Sequence, residues 1–389
     1  MDPIRVAGGK STKFGEYPER TGREMFAEAS QGALEDAGIE PNDVDALYYG
    51  NFMGQDAENQ GHQGPLMAES VATLDIPATR IESACASAGF AVAEGIKTIQ
   101  SGRADVVLVG GMERMNNLKT EQTTASLATA ADDLYEIREG MTFPGAYALM
   151  ANAYFEEYGG SREDLAAIAV KNHENGANNP KAQFQFEITT EKVLDAPMVA
   201  DPIGLFDACP ITDGASAAVL TSEPYAEAHG LDAPVTISGS GRAVDNLALH
   251  DRPAIAQTKA AENAAESAYE EANITPEDVD LAEVHDCFTI AEVLALEGLK
   301  LFEPGEAISA ATEGITTADG SLPVNLSGGL KAKGHPVGAT GVSQVVEIAQ
   351  LLDGTHPNSD AVPDATLGVT HNAGGTVASV SVHVLEVAE

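Results

Sequence analysis

The stretch Glu35-Asp36-Ala37-Gly38-Ile39-Glu40-Pro41-Asn42-Asp43-Val44-Asp45 returns later in the chain as Glu270-Glu271-Ala272-Asn273-Ile274-Thr275-Pro276-Glu277-Asp278-Val279-Asp280. The offset, from residue 35 to residue 270, is too long for a solenoid period and suits two similar halves. Each copy closes an amphipathic helix on Gly38 or Asn273, the residue types that best tolerate a left-handed C-terminal cap. Each then passes a Pro turn into a short apolar strand, Ala46–Tyr49 or Leu281–Val284. These strands are expected in equivalent places, so the segment holding Cys287 is the counterpart of Tyr49 to Gly54.

Working outward, a second correspondence appears. The stretch after Cys85 reads as helix through Ile99, stops at Gly102 and leads to a strand Val106–Val109. The stretch after His335 reads as helix through Leu352, stops at Gly354 and leads to a strand Thr366–Val369. Cys85 and His335 are therefore expected at matching helix starts, facing each other across a pseudo-dyad. Residues 115–200 have no counterpart and read as an inserted lobe, with Gly/Pro/Asn-rich stretches at Met141–Gly145 and Asn175–Pro180. Strand Ala217–Thr221 completes the first half, a turn near Glu223–Pro234 follows, and strand Val235–Ser238 opens the second. The division is 1–114 and 201–233 for the first half, 115–200 for the insertion and 234–389 for the second half. Alternating helices and apolar strands make this a layered α/β fold.

With 389 residues, 43% of them hydrophobic, the chain can bury a large core. No apolar run is long enough for a membrane span. The N-terminus, with Asp2, Arg5 and Lys10, lacks the apolar core of a signal peptide. Three cysteines without a C-x-x-C pair argue against a disulfide framework and against a zinc ribbon, which points to reduced thiols in a cytoplasm. Sixty acidic residues against 21 basic ones leave a formal charge of −39, scattered along the chain. Such self-repulsion is relieved by high salt, where the screening length falls to about 3 Å at 1 M. The expectation is a high-salt, haloarchaeal cytosol, with nucleic acid and anionic membranes as poor partners.

Four segments carry chemistry. Ser83-Ala84-Cys85-Ala86-Ser87-Ala88-Gly89 places a thiol among small residues at a helix N-terminus, which can lower a thiol pKa from about 8.5 to ~3.5–7.5. An inert core cysteine is the alternative. His335, in Gly334-His335-Pro336, opens a helix with glycines at 334, 338 and 341, suited to close approach of a ligand or to helix packing. His285 and Cys287 lie two apart at a strand end and are expected on one side. No metal is expected, because two further ligands are not at hand near them. Cys287 reads as a second, proton-carrying thiol, with a structural thiol as the alternative. His371-Asn372-Ala373-Gly374-Gly375 offers bare amides to an oxyanion, or is an ordinary turn. Cys209 reads as core. Gly9-Lys10-Ser11 lacks the first glycine of a phosphate loop.

Together these segments resemble the thiolase family, most closely its archaeal acetoacetyl-CoA branch and the sterol-carrier thiolases. The resemblance also rests on Thr12-Lys13-Phe14-Gly15, Phe143-Pro144-Gly145, Asp213-Gly214-Ala215 and Asn325-Leu326-Ser327-Gly328-Gly329. It implies two βαβαβαββ halves in five layers, each half with a five-stranded sheet, and a loop domain inserted in the first. It implies that Cys85 takes an acyl group as a thioester, and that His335 activates it and donates to the enolate oxygen of a second acetyl-CoA. Cys287 would remove the α-proton, and the amides of Cys85 and Gly374 would hold the acyl carbonyl. His285 stands where bacterial biosynthetic members have the Asn that positions a water, and Asn372 stands where they have their second cysteine. The division of proton transfer between His285 and Cys287 stays open. No cofactor is implied beyond acetyl-CoA, acetoacetyl-CoA and CoA as substrates. Arg242, Lys331 and Lys333 are the candidate contacts for the coenzyme. A homodimer or dimer of dimers and a small zinc-ribbon/OB-fold partner are expected. The alternatives are a ketoacyl synthase acting on a carrier protein, which typically uses two histidines, and a non-catalytic acyl-CoA-binding subunit.

Overall fold

The computed structural model describes residues 3–388, so Asp2 of the N-terminal charge reading lies outside the described residues. The duplicated stretch folds alike in both copies. Helix α1 (Gly22–Ala37) ends on Gly38 at φ +66°, and the matching helix Lys259–Ala272 ends on Asn273 at φ +57°, both left-handed caps. A single 3₁₀ turn follows each, Pro41–Asp43 and Pro276–Asp278, before strands Ala46–Gly50 and Leu281–Val284.

Apart from a two-stranded ribbon in the inserted region (Met198–Ala200 with Ile203–Gly204), the strands are β1 (Ile4–Ser11), β2 (Ala46–Gly50), β3 (Ala78–Ile81), β4 (Val106–Glu113), β5 (Gly214–Ser222), β6 (Val235–Val244), β7 (Leu281–Val284), β8 (Leu367–Gly374) and β9 (Ser379–Val387). They form one nine-stranded sheet in the order β3-β2-β4-β5-β1-β6-β9-β8-β7. This corrects the expectation of two five-stranded sheets. The halves are joined edge to edge where Ile4 and Arg5 of β1 face Ile237 and Thr236 of β6. The second half has four strands, because the counterpart of β3 shrinks to one parallel bridge, Ala282 to Val324. The pairing is otherwise the same: β2 lies parallel to β4, and β7 parallel to β8. The segment Glu223–His229, expected as a turn, is a short helix capped by Ser222.

Helices α2 (Ser87–Gln100) and, further on, α3 (Phe143–Tyr158), α4 (Arg162–Ala177), α5 (Lys259–Ala272), α6 (Thr289–Gly298) and α7 (Thr340–Leu352) complete the layers. α2 and α7 touch each other and strands of both halves; α1 covers the outer face of the first half, and α5 that of the second. The two central helices cross on glycine: a Cβ on Gly341 would sit 2.2 Å from the Gly89 nitrogen. A Cβ on Gly111 would meet the Gly338 carbonyl oxygen at 1.9 Å. The glycines after His335 thus serve packing, and that close packing sets the two reactive helix starts side by side. α3 and α4 belong to the lobe between β4 and β5, and they pack against α6 of the second half.

Candidate active site

Cys85 sits on the turn between β3 and α2. Ala84 takes φ +49°, in the left-handed region that costs a residue with a Cβ about 1–2 kcal/mol. Ser87 ties the turn to itself, accepting from the Ser83 amide at 2.9 Å and donating to the Ala84 carbonyl at 2.6 Å. The backbone amides of Gly375 and of Cys85 itself lie near the Cys85 thiol and favour its ionised form. Burial, reinforced by the nearby Cys209 thiol, nevertheless pushes it up to about 12. The helix-start expectation of a depressed thiol is therefore corrected. α2 begins only at Ser87, and desolvation outweighs the two amides. At rest the group is a thiol and needs a base.

His335 supplies one. Its amide donates to the Thr212 hydroxyl at 3.0 Å, and its Nδ1 lies 2.7 Å from the Thr340 hydroxyl. That hydroxyl donates its only proton to the Pro336 carbonyl, so Nδ1 must carry the imidazole proton. Nε2 is left as a bare acceptor, buried and without a protein partner. Burial holds the ring down to about 3, hence neutral.

His285 takes the opposite tautomer. The Asn372 side-chain amide donates to the Cys85 carbonyl at 3.0 Å while its oxygen accepts from the Gly89 amide at 3.3 Å, which fixes its orientation. Its remaining N–H meets His285 Nδ1 at 3.3 Å, so Nδ1 accepts and Nε2 bears the proton. Burial, then the neighbouring His335 and His371, hold His285 far below the usual histidine range. The two rings stand at 89° with centroids 4.8 Å apart. Cys85 Sγ and one nitrogen from each ring lie within 4.8 Å of one another. This trio is also a group of three that could hold a metal, which corrects the sequence-based view that His285 has no ligand companions. Such an ion would occupy the nucleophile, and Cys287 is not part of the group.

Cys287, together with Cys85, Cys209, His335, Tyr147 and Phe288, lines a largely apolar cavity of about 190 Å³. Cys209 is thus part of the site and not remote core; its amide donates to the Cys287 carbonyl at 2.9 Å. The neighbours Asp207-Ala208 and Pro210 carried no signal that the cavity passes there. Burial and nearby Cys209 raise the Cys287 thiol, with the Tyr147 hydroxyl pulling the other way. Between His285 and Cys287, Asp286 turns away from the cavity. It accepts from the Leu330 amide at 2.6 Å and from Asn172 at 2.7 Å, anchoring the turn that leads to His335. Gly375, one residue beyond the Gly374 read from sequence, aims its amide at Cys85. Gly374 closes β8, with its carbonyl accepting from Ala378.

Of the three candidate coenzyme contacts, two are buried away from any coenzyme and the third is paired with a carboxylate. Lys333 is buried and bonds Ser343 at 2.7 Å and Glu347 at 2.9 Å. Burial raises Glu347, but Lys333 and His356 outweigh it and hold the carboxyl at about 2. Lys331 is buried too, its ammonium 5.9 Å from the centre of the Phe206 ring. Arg242 pairs with Glu94 at 2.7 Å and lies over Phe90. A surface this acidic leaves few cations unpaired, and burial claims two of the three candidates.

Residues 4–224 match the model of the thiolase N-terminal domain, and residues 241–387 match that of the thiolase C-terminal domain-like family. The chain is 44% identical to an acetyl-CoA acetyltransferase of Methanothermobacter thermautotrophicus and 41% identical to one of Methanocaldococcus jannaschii, over 99% of each chain. It is 32% identical to human sterol carrier protein 2, across 95% of this chain and 70% of that protein. Its fold is shared by an Ltp2–ChsH2(DUF35) aldolase, at TM-score 0.85 and 24% identity over 99% of this chain and 98% of that one. It is shared also by an acetyl-CoA acetyltransferase of Syntrophomonas wolfei, at 0.77 and 19% over 99% of both. Sequence, strand order and the Cys–His–His cluster agree: the chain belongs to the thiolase family.

Proposed function

We propose that this thiolase is an acetyl-CoA C-acetyltransferase, condensing two acetyl-CoA to acetoacetyl-CoA and CoA or running the reverse thiolysis. The observation that carries the reading is the pair of opposite imidazole tautomers beside one buried thiol. His335 Nε2 takes the Cys85 proton, and the thiolate attacks the thioester carbonyl. The oxyanion is met by the main-chain N–H of Cys85 and those of the Gly374–Gly375 turn. CoA leaves as a thiolate and takes the Cys287 proton. Cys287 thiolate then removes an α-proton from the second acetyl-CoA, and the enolate carbon attacks acetyl-Cys85. Cys85 departs as thiolate and recovers its proton from His335. His285, with its proton on Nε2 and its other nitrogen occupied by Asn372, serves as a donor to the thioester oxygen. In this reading it does not take the α-proton, and the division of labour gives that step to Cys287.

The cavity's apolar walls suit a pantetheine arm and a short acyl group. The two halves divide near residues 201–233 and 234, with 115–200 as the inserted lobe. A homodimer or dimer of dimers and a small zinc-ribbon/OB-fold partner fit this reading, the latter supported by the fold shared with the Ltp2–ChsH2(DUF35) aldolase. A charge of −39 supports a high-salt, haloarchaeal cytosol. No helix among the described residues is long and apolar enough to cross a membrane. A ketoacyl synthase reading draws on the two histidines at one cysteine.

The test is thiolysis of acetoacetyl-CoA by free CoA, with no carrier protein, at low and at about 2 M KCl. The reading expects turnover that increases with salt and falls at least ~10³-fold in Cys85→Ala. Turnover only with a carrier protein would favour the synthase. A Cys85→Ala protein that keeps full activity within a complex would favour a non-catalytic subunit.

A further inference from the structure

Tyr147 belongs to α3 of the inserted lobe, yet it is fully buried against the reactive groups of both halves. Its ring stacks on Phe288, the residue after Cys287, with centroids 4.6 Å apart and planes at 28°. Its hydroxyl donates to the Gly375 carbonyl at 3.1 Å, and it shares a cavity wall with the Cys287 thiol, close enough to favour that group's ionised form. Gly375 in turn directs its amide at Cys85. A phenol has one proton to give and lone pairs to receive one. With that proton spent on Gly375, the phenol does not donate to Cys287 at rest.

We propose that Tyr147 is a positioning residue for proton transfer: its hydroxyl swings from the Gly375 carbonyl to Cys287 when that thiol becomes a thiolate, and holds the thiolate ready for the α-proton. The inference rests on the assignment of Cys287 given above. When departing CoA thiolate takes the Cys287 proton, the sulfur becomes the strongest acceptor near the phenol. Rotation about the C–O bond exchanges one acceptor for the other without moving the ring, which Phe288 holds in place. No proton leaves Tyr147, so the balance of the half-reaction is unchanged: CoA thiolate and Cys287 thiol become CoA thiol and Cys287 thiolate. The buried thiol is hard to ionise, and a charge-assisted hydrogen bond in a site of low polarity offsets part of that cost. The Cys85 step does not use this bond, so the two half-reactions depend on Tyr147 differently.

The experiment compares wild type, Tyr147→Phe, Cys287→Ala and the double variant by two readouts. One is the burst of acetyl-Cys85 formed from acetyl-CoA with release of CoA, a half-reaction that breaks no C–H or C–C bond; the other is solvent-deuterium incorporation into the methyl group of acetyl-CoA. Tyr147→Phe keeps the ring and its stacking. We expect it to retain the burst and to hold the KM for acetyl-CoA within about twofold. Deuterium exchange and condensation should fall on the order of 10- to 100-fold, with the exchange profile displaced to higher pH. The double variant should be no slower than Cys287→Ala, since the phenol acts through that thiol. Exchange within twofold of wild type in Tyr147→Phe, losses that multiply in the double variant, or a burst lost in proportion to exchange would each overturn the proposal. The last would place the role at Gly375. Wild-type exchange in Cys287→Ala would overturn the assignment of Cys287 itself, and this inference with it.

Discussion

At the start of α2 the chain presents Cys85 on a turn in which residues 82–85 all keep some exposure, whereas at the start of α7 residues 323–349 are buried without a break. The duplicated halves put both segments in the same place, but chemistry divides them. The Cys85 turn is tied locally by Ser87 and reaches the second half through Asn372 and the Gly375 amide. The His335 segment is pinned from several sides: Thr212 to its amide, Glu113 to the Gly338 amide at 3.1 Å, and Glu347 to Lys333. A nucleophile must be reached by a substrate and then carry it. A base without a charge of its own must keep one nitrogen bare and correctly aimed, which demands a rigid, dry surrounding.

This contrast can be broken at several points. In His335→Asn the base is gone, and we expect the acylation rate to fall ~10²–10⁴-fold. The sign with pH follows from the thiol at about 12. Below that value the thiolate fraction grows about tenfold for each unit of rising pH, so the variant's residual rate should climb along that slope. Wild type, with His335 neutral from about 3 upward, should show no such climb. A flat profile in the variant would mean that Cys85 is already ionised.

Stability tests the pinning. Lys333→Met leaves the Glu347 carboxylate buried with one partner fewer, and denaturant unfolding should show about 3–5 kcal/mol of destabilisation. On the other side of the comparison, Glu82→Ala removes an exposed bond to the Ala84 amide and should cost less than about 1 kcal/mol. Equal losses would erase the distinction between a rigid and a lightly held helix start.

The smallest expected effect on turnover lies in the link between halves. In Asn372→Asp a carboxylate would accept from His285 Nδ1, draw the imidazole proton there and leave Nε2 without one. Turnover should drop about 10- to 100-fold with the acyl-enzyme still formed. Asn372→Ala, which leaves the tautomer free, should lose less; the ratio of the two variants is the measurement.

Much of this was legible in the sequence because it depends on local chemistry. Gly38 and Asn273 announce left-handed caps wherever they fall, and Cys85, His335 and His285 carry their reactivity in their side chains. What escaped depends on tertiary packing. Nothing local tells that β1 and β6 join two sheets into one, or that the third strand of the second half shrinks to Val324. Cys209 looked like core because its place on the cavity wall is set by a backbone bond to Cys287. Lys331 and Lys333 looked like coenzyme contacts because sequence proximity to His335 says nothing of burial. The helix-start argument for Cys85 failed on magnitude: desolvation of a sulfur in an apolar cavity exceeds the pull of two amides. Tyr147 carried no signal of its own, although it lies in the inserted lobe two residues beyond Phe143-Pro144-Gly145.

The central claim is that one thiol, Cys85, carries the acyl group while Cys287 only moves protons. Mass spectrometry of peptides from enzyme exposed to acetyl-CoA in high salt tests it most directly. The account predicts an adduct of about 42 Da, one acetyl group, on the peptide bearing Cys85, in wild type and in Cys287→Ala alike. An adduct on Cys287 or Cys209, or none under turnover conditions, would contradict it.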